Sequence, residues 1–283
     1  MNKKRASIAV AAVLDASAAT GALAADWSDT YLGYRYGTRF AEPFNDQDIR
    51  KHIFNLSHVS GYRYGTNFFN VDFLMSDSKD PGGNGNSAGA QEAYVVYRHT
   101  LETGKVLGKP LALGPIKDVG LTAGFDWNTK NDAGYNSRKR MIVLGPTVMF
   151  KVPGFLNVSL LGLWESNAPY STFTGVATPR YSYDFHPMLT AAFGIPIAAV
   201  PGLSVEGYAN WIAPKGRNEF GGGTATETNI DVQLMYDVSS ALGLGKNTLR
   251  IGFEYQYWRN KFGNDHKGPA GDGALARTPM IRA

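Results

Sequence analysis

The chain contains no cysteine among its 283 residues. Disulfide frameworks and thiolate metal sites are therefore excluded, although this absence does not fix the compartment. Beyond residue 25 no run of about 18 apolar residues occurs, which excludes helical membrane spans from that part of the sequence. Charged residues make up only 18% of the chain, with 28 Lys and Arg against 24 Asp and Glu. Such a slight positive excess is weak evidence for a nucleic-acid partner, and we expect none.

The N-terminal segment has the composition of a secretory signal peptide. Lys3, Lys4 and Arg5 precede an apolar stretch over residues 6–14, and Ala22-Leu23-Ala24 forms an A-x-A cleavage site. The alternative is a soluble N-terminal helix. We predict a signal peptide over residues 1–24 and a single exported domain over residues 25–283.

Glycine and aromatic residues are abundant, with 33 Gly, 15 Tyr and 15 Phe. Past residue 25 the sequence divides into about twelve β-like segments, whose spacers are alternately long and short, as in a transmembrane β-barrel. The long spacers are predicted at residues 38–51, 78–89, 129–138, 167–178, 214–224 and 263–276. The short ones are predicted at residues 61–65, 152–154, 198–202 and 239–246, and the long spacer 102–115 breaks the alternation.

Period-2 alternation separates an apolar face from a polar face in residues 119–128, 180–186, 203–211, 229–237 and 249–258. A soluble β-sandwich would alternate in the same way. Segment lengths of about 9–13 residues and the alternating spacers favour the barrel. So do aromatic residues near the segment ends, which are expected to form interface girdles: Tyr31, Tyr36, Trp127, Phe150, Trp164, Trp211, Tyr236, Tyr257 and Trp258.

We therefore predict an all-β, antiparallel up-and-down transmembrane β-barrel of about twelve strands in the outer membrane. The short final segment, residues 277–283, is counted as part of the twelfth strand because an open edge in lipid would leave backbone groups unpaired. Long spacers are expected to face the outside and short turns the periplasm.

Charged and aromatic side chains on the polar faces are predicted to line a channel. They are Arg35, Asp72, Glu92, Tyr94, Arg98, Asp126, Arg180, Asp184, Glu206, Tyr208, Asp231, Arg250 and Glu254. The sequence leaves two interpretations open. The side chains either pair into a salt-bridge network that only satisfies buried charge, or they form a path for a solute.

No enzymatic activity is predicted. Ser182, Asp184 and His186 alternate on one predicted face, but residues two apart on a strand lie about 6–7 Å from each other, too far for a hydrogen-bonded triad. The Asp-, Asn- and Gly-rich segment 77–86 lacks the Glu of a calcium loop, because its twelfth position is Ala88. We expect no metal and no cofactor.

Two short motifs, Asp26-Trp27 and Thr38-Arg39-Phe40, resemble the N-terminal part of the Tsx-type nucleoside-specific outer-membrane channels. In that family an Asp-Trp pair precedes strand one and a Thr-Arg-Phe motif closes it at the channel mouth. The resemblance runs from residue 26 to about residue 77, and the aromatic, Asp/Asn/Gly-rich last loop over residues 258–272 is also similar. Ala41 stands where the family has glycine.

The resemblance implies a monomeric twelve-stranded barrel that binds nucleosides by aromatic stacking and polar contacts. Arg39 and Phe40 would then bind the solute at the channel mouth, with Phe40 as the base-stacking ring. The alternative role for Phe40 is an interface aromatic.

The predicted function is passive uptake of small polar solutes, most of all nucleosides, and the expected partners are this solute and outer-membrane lipid. One alternative is a diffusion channel for other small aromatic or apolar solutes. The other is a surface receptor or adhesin that transports nothing.

Overall fold

The structure is a computed structural model that describes residues 25–80, 89–171 and 175–283. The predicted signal peptide at residues 1–24 lies outside the described residues. Within the described ranges, no helix is both long and apolar enough to cross a membrane.

In the described residues, twelve long strands follow one another along the chain. They are β1 (Trp27–Glu42), β2 (Asn45–Tyr62), β3 (Gly65–Ser76), β4 (Gln91–Glu102), β5 (Ile116–Asn131), β6 (Arg140–Phe150), β7 (Phe155–Asn167), β8 (His186–Pro196), β9 (Leu203–Ile212), β10 (Glu227–Asp237), β11 (Arg250–Arg259) and β12 (Leu275–Arg282). The short α-helix α1 (Thr103–Leu107) follows β4.

Each strand pairs antiparallel with the next, and β12 also pairs with β1, so the sheet closes on itself. At this seam Arg35 lies opposite Arg282, and Gly37 lies opposite Met280. The C-terminal segment thus supplies the closing strand, and no edge is left open at the seam. The prediction of a twelve-stranded up-and-down barrel is confirmed.

The two faces of the sheet differ as the alternation predicts. Directly opposed residues on paired strands share a face, so the register assigns each side chain to the outer surface or to the lumen. Exposed apolar side chains cover the outer surface: Leu32, Phe54, Phe73, Leu121, Ile142, Leu160, Leu189, Leu234 and Phe253. The lumen receives the polar side chains, together with two apolar clusters. The alternation predicted for residues 119–128, 203–211, 229–237 and 249–258 is confirmed.

The barrel has two unlike ends. We call the end that holds residues 25 and 283 the turn end, because the two-residue turn 63–64 and the tight turns 151–154 and 197–202 lie there. The predicted Pro-Gly turns are present, with Gly154 (φ 76°) and Gly202 (φ 87°) in the left-handed region that glycine accepts. Two longer connections, 103–115 and 238–249, also lie at this end.

We call the opposite end the loop end, because the strands that border the connections 77–90, 132–139, 168–185, 213–226 and 260–274 begin or end there. The long spacer predicted at residues 38–51 is wrong. Instead β1 and β2 continue through it and meet at a two-residue turn of Pro43 and Phe44. Residues 38–51 are mostly polar and therefore have the composition of a loop, although they continue the two strands.

Two further expectations are corrected. Residues 180–186 do not form a barrel strand, because only Tyr181–Ser182 pairs with β7 and β8 begins at His186. Tyr31 and Trp258 are not outer girdle residues. Tyr31 lies opposite Ser57 and Trp258 lies opposite Asn229, on the lumen face in each case.

Candidate functional site in the barrel lumen

The middle of the lumen contains a connected group of charged side chains on β1, β3, β11 and β12. Arg35 lies 2.5 Å from Asp72 and 3.0 Å from Glu254. Arg282 lies 2.7 Å from the second oxygen of Glu254. A carboxylate that accepts from two guanidinium groups is well satisfied, so burial of these charges is supported by hydrogen bonds.

A second group lies on β4 and β5. Arg98 contacts Asp126 at 2.5 Å, and the hydroxyl of Tyr94 donates to the same carboxylate at 3.0 Å. Arg98 also donates to the backbone carbonyls of Tyr97 and Phe125. The guanidinium is thus held in one orientation against the wall, because several acceptors share it.

A third charged pair lies at the turn end, on β9 and β11. Arg250 pairs with Glu206, and Ser204 donates to Glu206 at 2.6 Å.

A row of hydroxyls crosses four neighbouring strands, β4 to β7. Thr100 lies 2.8 Å from Thr122, Thr122 lies 2.5 Å from Thr147, and Thr147 lies 2.7 Å from Ser159. The two inner hydroxyls, those of Thr122 and Thr147, can each donate to one neighbour and accept from the other, so the row satisfies them.

The loop end of the lumen contains a buried cluster of lysines around Glu42, the last residue of β1. Glu42 lies 2.6 Å from Lys51, 3.5 Å from Lys130 and 3.1 Å from Lys261. Asp80 lies 2.8 Å from Lys130 and 3.7 Å from Lys51. Since Lys130 belongs to β5 and Glu42 to β1, this cluster spans the lumen. We call it the Glu42 cluster.

Lys261 differs from the other two lysines because it comes from the loop between β11 and β12. Its ammonium also donates to the backbone carbonyl of Ala41 at 2.7 Å. Burial lowers the pKa of Lys261, and repulsion by Lys51 and Lys130 adds to this effect, despite the attraction of Glu42. Lys261 therefore connects the loop between β11 and β12 to the barrel wall through a buried ammonium group, whose charge is disfavoured by burial.

A second cluster, the Glu165 cluster, lies at the loop end of β7. Glu165 lies 2.7 Å from Lys139, 3.0 Å from Lys215 and 3.7 Å from the imidazole of His186. Lys139 and Lys215 both belong to loops. Although burial opposes its charge, Glu165 raises the pKa of Lys139 above the usual value. Two loops are therefore tied to the same buried carboxylate.

Above the Glu165 cluster the loops pack on one another through Glu219. Tyr183 donates to Glu219 at 2.6 Å, Tyr135 donates to the same carboxylate, and Asn167 donates to Glu219 at 3.2 Å. Burial, followed by the negative charge of Glu219, raises the pKa values of Tyr135 and Tyr183. Side chains from three loops and from the end of β7 thus form a connected cover over this part of the mouth.

The loop-end half of the lumen is densely filled. One apolar cluster consists of Phe40, Ile49, Ile53 and Met280, and a second consists of Val143, Leu161, Leu163 and Met188. A cavity of about 20 Å³ remains beside Tyr94, Asp126 and Glu165. That volume is room for about one water molecule. The described side chains therefore constrict the lumen at the loop end, whereas side chains at the turn end remain exposed.

Eleven of the predicted lining residues lie on the lumen face of a barrel strand: Arg35, Asp72, Glu92, Tyr94, Arg98, Asp126, Glu206, Tyr208, Asp231, Arg250 and Glu254. Arg180 and Asp184 do not, because they belong to the loop 168–185. Arg180 donates to Ser166 at 3.0 Å and to the carbonyl of Arg138, while Asp184 is an exposed loop residue beside Lys215.

Arg39 and Phe40 point to opposite sides of the wall. A β-bulge between Gly37 and Phe40 adds one residue to β1, and Arg39 lies exposed beside Asp48 at 3.7 Å. Phe40 points into the lumen but is only 5% exposed, since it packs in the apolar cluster with Ile49 and Ile53. The structure does not bring the two side chains together, and their binding role stays a prediction.

The lysines at the loop end were not predicted, namely Lys51, Lys130, Lys139, Lys215 and Lys261. Lys130 carried a usable signal, because it continues the polar face of β5, whereas Lys51 lies between Ile49 and Ile53 on the lumen face of β2. The loop lysines carried none, since their burial depends on how the loops fold back.

The comparisons with known proteins identify no family. No family model matches the chain, and no curated protein matches it. Among solved structures the chain is similar to the KdgM porin, with 9% identity and a TM-score of 0.40 over 90% of this chain and 98% of the porin. It is also similar to the translocator domain of the autotransporter NalP from Neisseria meningitidis, with 11% identity and a TM-score of 0.44 over 90% and 85%.

A mutant of Rh. blastica porin is a third such structure, with 11% identity and a TM-score of 0.26 over 90% of this chain and 99% of the porin. These scores are low, so the barrel assignment depends on the strand pairing of this chain itself. The resemblance to Tsx-type channels stays a prediction.

Proposed function

We propose that the protein is an outer-membrane channel that admits small polar solutes passively, with nucleosides as the leading solute class. The observation that carries the proposal is the closed barrel, apolar outside and polar within. An outer surface of side chains such as Leu32, Ile142 and Leu160 suits lipid, and a polar lumen suits water and polar solutes. The turn end would face the periplasm and the loop end the outside.

Transport in this proposal proceeds by weak, serial binding along the wall. The lumen offers both signs of charge in close pairs, such as Arg35 with Asp72 and Arg98 with Asp126. A neutral solute with donors and acceptors can exchange hydrogen bonds with such pairs without leaving a charge unpaired. Binding of this kind is favourable enough for entry and weak enough for exit.

The constriction at the loop end corresponds to a closed state of the proposed channel. Lys215 and Lys261 reach from loops to the buried carboxylates Glu165 and Glu42. Opening requires these two ammonium groups to leave the lumen together with their loops. Outside the lumen, water solvates the ammonium groups in place of the lost ion pairs. The barrel strands themselves need not move, because each carboxylate keeps another lysine, namely Lys51 and Lys130 for Glu42 and Lys139 for Glu165.

Conductance across a planar lipid bilayer tests the proposal. The purified full-length chain should give single-channel steps, and millimolar adenosine or thymidine should reduce them. A barrel that inserts but never conducts would exclude the channel. Steps that neither nucleoside reduces would leave a channel for other small solutes and reject the nucleoside class.

The connected cover at the loop end favours one alternative function, that of a surface receptor or adhesin. Tyr135, Tyr183 and Asn167 converge on Glu219, so these loops present a fixed shape to the outside. In that case inserted protein would remain silent in the bilayer measurement.

A further inference from the structure

Several exposed aromatic side chains face the lumen at the turn end, and three of them lie near one another on β1 and β3, whereas Phe155 lies apart on β7. Trp27 and Tyr31 lie on β1, in an unbroken register with β2 that places them opposite Gly61 and Ser57. Phe68 lies on β3, directly opposite Arg98. Tyr31 lies four positions before Arg35 on a regular strand, so it shares the lumen face with that buried arginine.

These rings are open to solvent, in contrast to Phe40. Trp27 is 50% exposed, Tyr31 is 43% exposed and Phe68 is 38% exposed. Large apolar surfaces kept in contact with water inside a barrel mark a place where a ligand can bury them. Phe40 has no free face, because Ile49, Ile53 and Met280 cover it.

Strand β2 forms the floor between the aromatic residues of β1 and β3. Its lumen-facing side chains at this level, Gly61, Val59 and Ser57, are small. A Cβ at Gly61 would collide with the indole of Trp27, so the indole lies directly over this glycine. The result is a shallow trough with a narrow floor and aromatic sides, which we call the aromatic trough.

Hydrogen-bonding groups border the aromatic trough on the inner side. Arg98, opposite Phe68, holds Asp126 at 2.5 Å. Ser57, opposite Tyr31, donates to Asn70 at 2.5 Å. A ring that covers Phe68 or Tyr31 therefore has its edge within reach of donors and acceptors.

We propose that the aromatic trough is the primary solute-binding site, and that its ligand is a planar ring with a hydrogen-bonding edge, such as a nucleobase. This inference rests on the proposed channel function and places the stacking residues at the turn end rather than at Phe40. Loss of one stacking ring is expected to weaken binding roughly tenfold.

The test compares variants on the same strands. Tyr31→Ala and Phe68→Ala remove trough rings, while Tyr34→Ala and Phe73→Ala remove rings from the outer face of β1 and β3. Adenosine is added at the turn-end side of a planar bilayer, and the concentration that blocks half of the conductance is measured. This concentration should be roughly tenfold higher for both trough variants than for the wild type. The outer-face variants should match the wild type. Equal block in all four variants overturns the trough. Phe68→Leu, which keeps the bulk without the ring, replaces Phe68→Ala if that variant does not fold.

A second measurement separates this inference from the channel proposal. In detergent, adenosine should quench the tryptophan fluorescence of the wild type, and Trp27→Leu should lose that quenching. Quenching without conductance would reject the channel and retain the trough. Conductance with nucleoside block, but with quenching and block unchanged in Trp27→Leu and Phe68→Leu, would retain the channel and reject the trough. Sorbitol, which has no planar ring, should neither quench nor block.

Discussion

Removal of the negative charge of Glu42 should release the loop between β11 and β12. In the wild type three ammonium groups, those of Lys51, Lys130 and Lys261, share Glu42 and Asp80. After Glu42→Gln, Asp80 is the one carboxylate left at ion-pair distance from these lysines among the described residues, and Glu92 of β4 adds a more distant negative charge. Asp80 lies next to Lys130 and Lys51, so Lys261 is the ammonium without a remaining carboxylate at ion-pair distance.

The size of the effect follows from burial. Loss of one partner from a buried ion pair costs about 3–5 kcal/mol when the remaining charge cannot move. Lys51 and Lys130 are fixed on strands, whereas Lys261 can return to water with its loop. If departure of the loop relieves about 1.4 kcal/mol of that cost, the population of the state with the loop released rises tenfold.

Limited proteolysis and conductance together test this reasoning. Glu42→Gln should make the chain more sensitive to trypsin at Lys261 and Lys267, and should raise the fraction of time that the channel is open. Asp46→Asn is the matched control, because it makes the same carboxylate-to-amide change at an exposed residue that belongs to neither ion-pair cluster and it keeps both cleavage sites. The double variant Glu42→Gln with Lys261→Met should lose the excess ammonium and be cut less at Lys267 than Glu42→Gln alone. Proteolysis and conductance of Glu42→Gln equal to those of the control would refute the argument.

The remaining predictions concern other parts of the lumen. Glu165→Gln leaves its loop lysines without their shared carboxylate, so faster tryptic cleavage in loops 132–139 and 213–226 is expected. Leu161→Ala opens a cavity in a buried cluster and should lower the free energy of unfolding in urea by about 2–4 kcal/mol, whereas lipid can fill the space left by Leu160→Ala and the loss should be smaller. Phe40→Ala should lower stability in the same urea titration with little change in nucleoside block, and Arg39→Ala should change neither; a strong loss of block in either would return the solute site to the loop end.

The fold could be predicted because alternation is a local property of the sequence. Residues 249–258 already separate Ile251, Phe253 and Tyr255 from Arg250 and Glu254, and the paired strands preserve that separation. The closing strand could be predicted as well, since an unpaired edge is too costly in lipid.

The loop end could not be predicted in the same way. The segment 38–51 contains polar residues that look like a loop, yet Lys51 and Glu42 are buried because they pair with each other. Lys215 and Lys261 become part of the lumen only when their loops fold inward. Such long-range pairing leaves no periodic signal.

The proposed solute site could not be predicted from the sequence for a different reason. Alternation assigns Phe40 and Tyr31 to the same lumen, and short motifs drew attention to Phe40. Whether a ring is free or covered depends on its neighbours across strands, and Ile49 and Met280 cover only Phe40.

The row of hydroxyls from Thr100 through Thr122 and Thr147 to Ser159 has a directional property. Each hydroxyl has one proton, so when every member donates in the same sense the protons point either toward β4 or toward β7. Reversal of one end favours reversal of all, because neighbouring hydrogen bonds polarise one another. The wall can therefore reverse the sense of this largely buried row by rotation of hydroxyl groups, without movement of the strands.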